Sequence, residues 1–188
     1  MVDLIDEAFR LQEFLDGHQC RFCFIGGIAV QHWGEPRLTR DIDISLLAGF
    51  GSEEHYVDLL LGAYRPRMEG ARQFAAAHRV LLLASPGGIG IDVSLAALSY
   101  EELMIERARK IDLLPHRSLR LCSAEDLVIM KLFAGRDTDM RDARSVLARQ
   151  GKDRLDWAYL EAHLAEFDSV KEGAGLVEEL RRMRDSIG

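Results

Sequence analysis

The sequence predicts an α/β (α+β) fold in which helices flank a small mixed β-sheet and the C-terminal half is helical. Short apolar runs next to glycine or to a Pro-Gly turn, as in residues 21–25 and 79–95, are typical of buried strands. Stretches with apolar residues three and four positions apart alternate with these runs and predict amphipathic helices. From Ser123 onward only the helical spacing remains. We therefore expect a core over residues 1–122 and a helical region over residues 123–188 that packs on it.

The elements of the core follow in order from these patterns. Arg21–Ile25 is apolar and aromatic, which is typical of a buried strand, and Ile28 reads as the start of a helix. The predicted core elements are a helix at 3–16, a strand at 21–25, a helix from residue 28, a strand from residue 41 to about 47, a helix at 53–63, strands at 79–84 and 89–95 in a hairpin, a helix at 99–110 and a strand at 118–122.

The C-terminal region is predicted to hold helices around residues 124–134, 139–150, 153–166 and 170–186. Ser123, with Asp126 three residues later, is typical of a helix N-terminus, where a side chain caps the first free backbone N–H groups.

The net charge argues against a generic nucleic-acid binder. The chain of 188 residues has 24 Lys and Arg against 31 Asp and Glu, a formal charge of −7, and such a chain attracts polyanions poorly. A local basic patch is not excluded, and two interpretations of the middle segment stay open, a solvated loop or an acceptor-binding surface. The arginines of that segment are Arg65, Arg67, Arg72 and Arg79.

The cysteines and the apolar runs bear on location. Cys20 and Cys23 form a CxxC, but no second pair with zinc spacing follows, so we expect buried apolar side chains. An odd count of three cysteines argues against a disulfide framework and suggests a reducing, cytoplasmic location. No signal-peptide pattern and no run of 18 apolar residues occur, so no membrane span is expected.

Asp41-Ile42-Asp43-Ile44 is the most informative segment. In a strand, alternate side chains point to the same face, so Asp41 and Asp43 project together, roughly 6.5–7 Å apart along the strand. The two isoleucines then face the core. Adjacent carboxylates repel each other unless a cation lies between them, and hard ions such as Mg²⁺ prefer carboxylate oxygens. The pattern therefore predicts a metal site.

Gly26-Gly27, between the strand and the following helix, predicts a phosphate site. Backbone N–H groups at a helix N-terminus and the helix dipole favour an anion, and glycine lets a phosphate approach the backbone closely. Each motif alone is weak, since most Gly-Gly pairs are turns and most Asp-x-Asp pairs are solvated. Together, at this spacing, they indicate a nucleotide site.

The combination resembles the signature of the nucleotidyltransferase superfamily related to DNA polymerase β. Gly26-Gly27-x-Ala29, with Trp33-Gly34-x-Pro36-Arg37-x-Thr39-x-Asp41-x-Asp43, resembles its AbiEii-type branch of abortive-infection and toxin–antitoxin enzymes. The resemblance implies Mg²⁺ or Mn²⁺ as cofactor, Asp41 and Asp43 as catalytic metal ligands, and Gly26, Gly27, Arg37 and Thr39 as nucleotide ligands. Many members have Gly-Ser where this chain has Gly-Gly, so a serine contact to phosphate is absent.

The superfamily implies a third carboxylate on a neighbouring strand, and Asp92 is the candidate. It lies between Ile91 and Val93 in the second strand of the predicted hairpin, after the turn Ser85–Gly88. A charged residue in an apolar strand is usually surface decoration. Beside two other carboxylates it is instead predicted to be a third metal ligand or the general base.

The segment from Ser123 to Lys131, followed by Arg136 and Asp142, resembles the helical part of the same group. That resemblance implies Lys131 as a nucleotide phosphate ligand, with Asp142 or Arg136 fixing it. The alternative, a lysine that extends to solvent from an apolar helix, stays open.

The sequence therefore predicts a metal-dependent nucleotidyltransferase that moves a nucleoside monophosphate from an NTP to a hydroxyl or phosphate acceptor. The acceptor is a tRNA, a protein or a small molecule, and an antitoxin protein is a possible partner. Two alternatives stay open. One is a catalytically weak or inactive binding module of a toxin–antitoxin type pair, and the other is an antibiotic-modifying adenylyltransferase with the same chemistry.

Overall fold

The computed structural model describes residues 4–171 and 173–187 of the chain. Within that part, the strands are β1 (Phe22–Phe24), β2 (Asp41–Leu47), β3 (Arg65–Pro66), β4 (Val80–Ala84), β5 (Gly90–Ala96), β6 (Arg109–Leu114) and β7 (Arg117–Leu121). The helices are α1 (Leu4–Gly17), α2 (Gly26–Trp33), α3 (Glu53–Ala63), α4 (Ala71–His78), α5 (Ser99–Arg107), α6 (Ala124–Ala134), α7 (Asp137–Gln150), α8 (Trp157–Val170) and α9 (Leu176–Ser186).

The strands form one mixed sheet in the order β3-β4-β5-β2-β1-β7-β6. The central pair β2 and β5 is parallel, as is β1 with β7, and the other neighbours are antiparallel. Helices flank this sheet and a run of helices follows it, so the predicted fold class is confirmed.

The chain divides into two compact units, and the first carries the sheet. It comprises the described residues up to Ile28 together with Leu38–Cys122. Its core contains fully buried aliphatic and aromatic side chains from the central strands, because each strand turns alternate residues inward. These include Phe22, Phe24, Ile42, Ile44, Leu81, Leu83, Ile91 and Val93.

The second unit comprises Ala29–Arg37 and the described residues from Ser123 onward. The first unit ends at Cys122, but residues 29–37 group with the helices, so the predicted division into residues 1–122 and 123–188 stays a prediction. Two hydrogen bonds explain this grouping, since Gln150 Nε2 donates to the carbonyl of Trp33 at 2.7 Å and Arg149 Nη1 donates to that of Gly34 at 2.5 Å.

The four helices predicted for this region are present as α6–α9. The predicted cap of α6 is confirmed, because Ser123 Oγ accepts a hydrogen bond from the backbone N–H of Asp126 at 3.1 Å. Parts of two predicted ranges, residue 3 of the first helix and residue 172 of the last, lie outside the described residues.

Three predicted features of the core were wrong in detail. Helix α2 begins at Gly26, not at Ile28, because Gly26 takes a φ of +59° and turns the chain from β1 directly into the helix. The predicted helix to residue 110 ends at Arg107, and Arg109 begins the edge strand β6. The middle segment is not a loop throughout, since it contains β3 and α4.

No helix in the described part of the chain combines the length and the apolar character needed to cross a membrane.

Candidate active site

Three aspartates lie on one face of the central parallel strands. The register of β2 and β5 pairs Asp43 with Asp92 and Asp41 with Gly90. Along β2, Asp41 and Asp43 are partly exposed while Ile42 and Ile44 are buried, as the alternation predicts. Since register partners in a sheet point to the same side, the three carboxylates share one surface.

An arginine lies among these carboxylates. Arg67 Nη1 is 3.5 Å from Asp41 Oδ1, and its Nη2 bonds to Oδ1 of Asp92. The side chains of Asp41, Asp92 and Arg67 are 48%, 36% and 32% exposed, so the group is neither buried nor fully in water. We call the three carboxylates of Asp41, Asp43 and Asp92 the aspartate cradle.

Gly90 leaves room for this arrangement. A Cβ at residue 90 would overlap the carboxylate of Asp41 and lie 2.7 Å from Nη1 of Arg67. The space that a side chain would fill is therefore occupied by the ion pair of Asp41 and Arg67. Sequence reasoning did not place Gly90 at the site, and it named Arg67 only as part of a possible acceptor-binding surface. A glycine two residues before Asp92 and a proline typical of an edge strand at residue 66 were the available signals.

The Gly-Gly turn lies directly against the cradle. The backbone N–H of Gly27 donates to Asp43 Oδ2 at 3.3 Å, and a Cβ at Gly26 would overlap the same carboxylate. A Cβ at Gly27 would overlap Oγ1 of Thr39, whose hydroxyl donates to the carbonyl of Asp41 at 3.3 Å. The structure thus brings Gly26, Gly27 and Thr39 together with the aspartates, and their role in nucleotide binding stays a prediction.

Replacing Gly27 by alanine should therefore cost about 1–3 kcal/mol of unfolding free energy, because the new methyl group forces Thr39 or the start of α2 to move. The matched control is Gly62→Ala in α3, where a Cβ meets nothing within 4 Å. It should stabilise the fold by up to about 1 kcal/mol. Urea denaturation followed by circular dichroism measures both, and equal effects of the two substitutions would contradict the crowding at Gly27.

Arg37 and Lys131 belong to the second unit and meet at Asp142. Arg37 donates from Nε and Nη2 to the two oxygens of Asp142 at 2.7 and 2.8 Å. Lys131 Nζ lies 2.8 Å from both Asp142 and Asp139, and Arg136 Nε donates to Asp139 at 2.5 Å. Lys131 is only 11% exposed, so it does not extend to solvent. Its predicted contact with a phosphate, and that of Arg37, stay predictions.

The two carboxylates of this network have lowered pKa values. Burial alone would raise the pKa of Asp142, but hydrogen bonds from Arg37 and Lys131 outweigh it. Burial likewise opposes ionisation of Asp139, and hydrogen bonds from Arg136 and Lys131 hold its pKa below the usual value. Both aspartates are therefore ionised in the folded protein at neutral pH.

Acid should destabilise the second unit through these groups. A lowered folded-state pKa contributes stability that is fully present above the unfolded-state value of about 3.9 and is lost as the pH falls through the folded-state pKa. Trp33 and Trp157 are the two tryptophans of the chain and both lie in this unit, so their fluorescence in urea at decreasing pH measures the loss. Asp142→Asn should lose less over the same pH range, and an identical loss would exclude Asp142 as a cause.

The cradle offers oxygen ligands but not a preformed metal site. Within the described residues, no group of three or more His, Cys, Asp or Glu side chains is arranged to hold a metal ion as it stands. Burial raises the pKa of Asp92, Arg67 lowers it, and the charge of Asp41 adds to the rise. The carboxylates already bind a cation, the guanidinium of Arg67, so their chemistry fits a hard divalent ion once that group moves.

The three cysteines and Arg79 contribute to the fold rather than to the aspartate cradle. Cys20, Cys23 and Cys122 are buried thiols, as predicted. Arg79 ends α4 and donates to the carbonyls of Leu95 and Gly49, at 2.8 and 2.9 Å, so it holds neighbouring segments together rather than forming a basic surface.

Fold and site together define a nucleotidyltransferase-like protein. The chain belongs to the family described as "Nucleotidyltransferase of unknown function (DUF6036)", which matches residues 1–184. No curated protein sequence matches the chain.

Solved structures share the fold at low sequence identity. The antibiotic-resistance factor ANT(2'')-Ia is 14% identical with a TM-score of 0.58, over 90% of this chain and 97% of that one. The structure of ANT(2'')-Ia in complex with adenylyl-2''-tobramycin is 16% identical with a TM-score of 0.56, over 89% of this chain and 97% of that one. The lincosamide antibiotic adenylyltransferase LnuA, bound to lincomycin, is 14% identical with a TM-score of 0.51, over 75% and 94%. The AbiEii-type branch stays a prediction.

Proposed function

We propose that the protein is a metal-dependent nucleotidyltransferase that moves a nucleoside monophosphate from an NTP to a hydroxyl or phosphate acceptor. The observation that carries the proposal is the juxtaposition of Asp41, Asp43 and Asp92 with the Gly26-Gly27 turn at the start of α2. Membership of a nucleotidyltransferase family supports it.

Each part of the cradle has a role in this reaction. The three aspartates would hold Mg²⁺ or Mn²⁺, which neutralises charge on the phosphate oxygens when bound. Asp92, the register partner of Asp43 on the neighbouring strand, would take the proton of the acceptor hydroxyl. The N–H groups at the start of α2 would bind the outgoing pyrophosphate.

The acceptor is a hydroxyl or phosphate group on a small molecule, a protein or a tRNA. Two proteins with this fold were solved with antibiotics or their adenylyl derivatives, which supports a small molecule. The resemblance to AbiEii-type enzymes supports a macromolecule and an antitoxin partner. The net charge of −7 argues against tight binding of RNA through charge alone.

The test offers each NTP, labelled on either the α or the γ phosphate, to the protein with Mg²⁺ or Mn²⁺ and a cell extract. We expect transfer of the α label with release of pyrophosphate, and no transfer after chelation of the metal. Transfer of the γ label instead would show a kinase and contradict the proposal. Metal-dependent NTP binding without transfer under all conditions would favour the inactive binding module of a toxin–antitoxin type pair.

A further inference from the structure

Arg67 reaches the cradle because of the sheet register, not because of its neighbours in sequence. Its backbone N–H donates to the carbonyl of Leu82 on β4 at 3.0 Å. Leu82 is the register partner of Asp92, which in turn pairs with Asp43. Arg67 therefore continues one row of residues across four adjacent segments of the sheet, on the face that carries the carboxylates.

The guanidinium of Arg67 contacts one oxygen of each of two carboxylates at the same time. One nitrogen is 3.5 Å from Asp41 Oδ1 and the other bonds to Oδ1 of Asp92. A planar, permanently charged fork suits this bridging geometry, which a single ammonium group does not reproduce. The absence of a side chain at Gly90 provides the space for it.

A divalent ion and this guanidinium require the same oxygens. A metal ion bound by both Asp41 and Asp92 would need their carboxylate oxygens, and Arg67 now holds Oδ1 of each. Because like charges repel, the metal ion and the guanidinium cannot both lie between the two carboxylates. Without either cation, three carboxylates on one surface would repel one another. One positive group is therefore needed at this position, and the chain carries its own.

We propose that Arg67 is a displaceable counter-cation of the aspartate cradle: it holds Asp41 and Asp92 in place before metal binds, and the incoming divalent ion must displace it. This inference rests on the proposed function, because it assumes that the cradle is the metal site. Arg67 is then a positioning residue that lowers the affinity for metal and keeps the carboxylates ordered until metal arrives.

The test measures Mn²⁺ binding without nucleotide, by isothermal titration and by the electron paramagnetic resonance of free Mn²⁺. For Arg67→Gln the dissociation constant should fall about tenfold, since the ion no longer competes with charge-assisted hydrogen bonds. The matched control is Arg65→Gln, which removes the same charge from an exposed residue two positions earlier, and it should stay within about twofold of wild type. Arg67→Lys keeps the charge but loses the fork, so its constant should lie between the two.

Thermal unfolding gives a second readout that a merely structural role would not produce. Without metal, Arg67→Gln should unfold at a lower temperature than wild type, because repulsion among the carboxylates is unopposed. Saturating Mn²⁺ should remove most of that difference. If Arg67→Gln does not fold without metal, the unfolding temperature of Arg67→Lys without metal and that of Mn²⁺-loaded Arg67→Gln are compared with those of wild type under the same conditions.

The outcomes separate this inference from the proposed function. Equal Mn²⁺ affinity in wild type and Arg67→Gln, with binding lost in Asp43→Asn, would overturn the role of Arg67 and leave the metal site standing. Weaker nucleotide binding in Arg67→Gln with unchanged Mn²⁺ affinity would make Arg67 a phosphate ligand and also overturn it. Absence of Mn²⁺ binding in every protein would overturn the role of Arg67, and absence of metal-dependent transfer of the α label as well would overturn the proposed function.

Discussion

Asp43→Asn should lower metal-dependent NTP turnover about a thousandfold or more, the scale of losing a principal electrostatic group of an active site. Asp43 is the central member of the cradle, because it pairs with Asp92 across the strands and accepts the N–H of Gly27. Asparagine keeps an oxygen that can accept that hydrogen bond but removes the charge that binds metal. Stability should therefore change by no more than about 0.5 kcal/mol.

Pyrophosphate release at saturating NTP and Mg²⁺ measures the effect, with circular dichroism as the check on folding. The control is Asp58→Asn, which neutralises an exposed aspartate that pairs with Arg72 in the same unit. It should keep wild-type turnover. A folded Asp43→Asn protein with turnover within about tenfold of wild type would exclude Asp43 from the chemistry.

Asp142→Ala should cost the second unit about 3 kcal/mol of unfolding free energy, because removing one partner of a buried ion pair leaves the others uncompensated. Asp142 is only 5% exposed and accepts from both Arg37 and Lys131. After the substitution, Lys131 keeps Asp139, but Arg37 loses both hydrogen bonds that hold it to α7.

Urea denaturation followed by tryptophan fluorescence measures this loss, since Trp33 and Trp157 both lie in the second unit. Asp153→Ala, an exposed aspartate in the loop before α8, is the control and should change stability by no more than about 0.5 kcal/mol. A loss of similar size in both variants would mean that the network of Asp142 contributes little.

The sequence was sufficient for those parts of the site that depend on local pattern. Alternation in β2 predicted that Asp41 and Asp43 share a face, and an isolated charge in an apolar strand pointed to Asp92. The convergence of the two strands followed only from the resemblance, because pairing between β2 and β5 is a long-range property that no local pattern specifies.

The missed residues depend on register and on side-chain reach. Arg67 follows a two-residue edge strand, too short to give a periodic signal, and its position opposite Asp92 is set by the pairing of β3 with β4. The resemblance placed Asp142 or Arg136 beside Lys131, and the structure pairs Lys131 with Asp142 and also with Asp139, which was not predicted. Which of several acidic residues a lysine meets depends on how two helices pack, and this cannot be predicted from spacing alone.

The empty position at Gly90 gives a criterion for sorting the members of this family. A relative that keeps all three aspartates but carries a side chain at the position equivalent to residue 90 would match this chain in its aspartate motifs. Its first aspartate could not occupy the place that it has here, because a Cβ would overlap that carboxylate. Under the proposed function, such members are candidates for proteins that have kept the fold and lost the nucleotidyl-transfer activity. The residue two positions before the third aspartate identifies them, whereas the aspartates themselves do not.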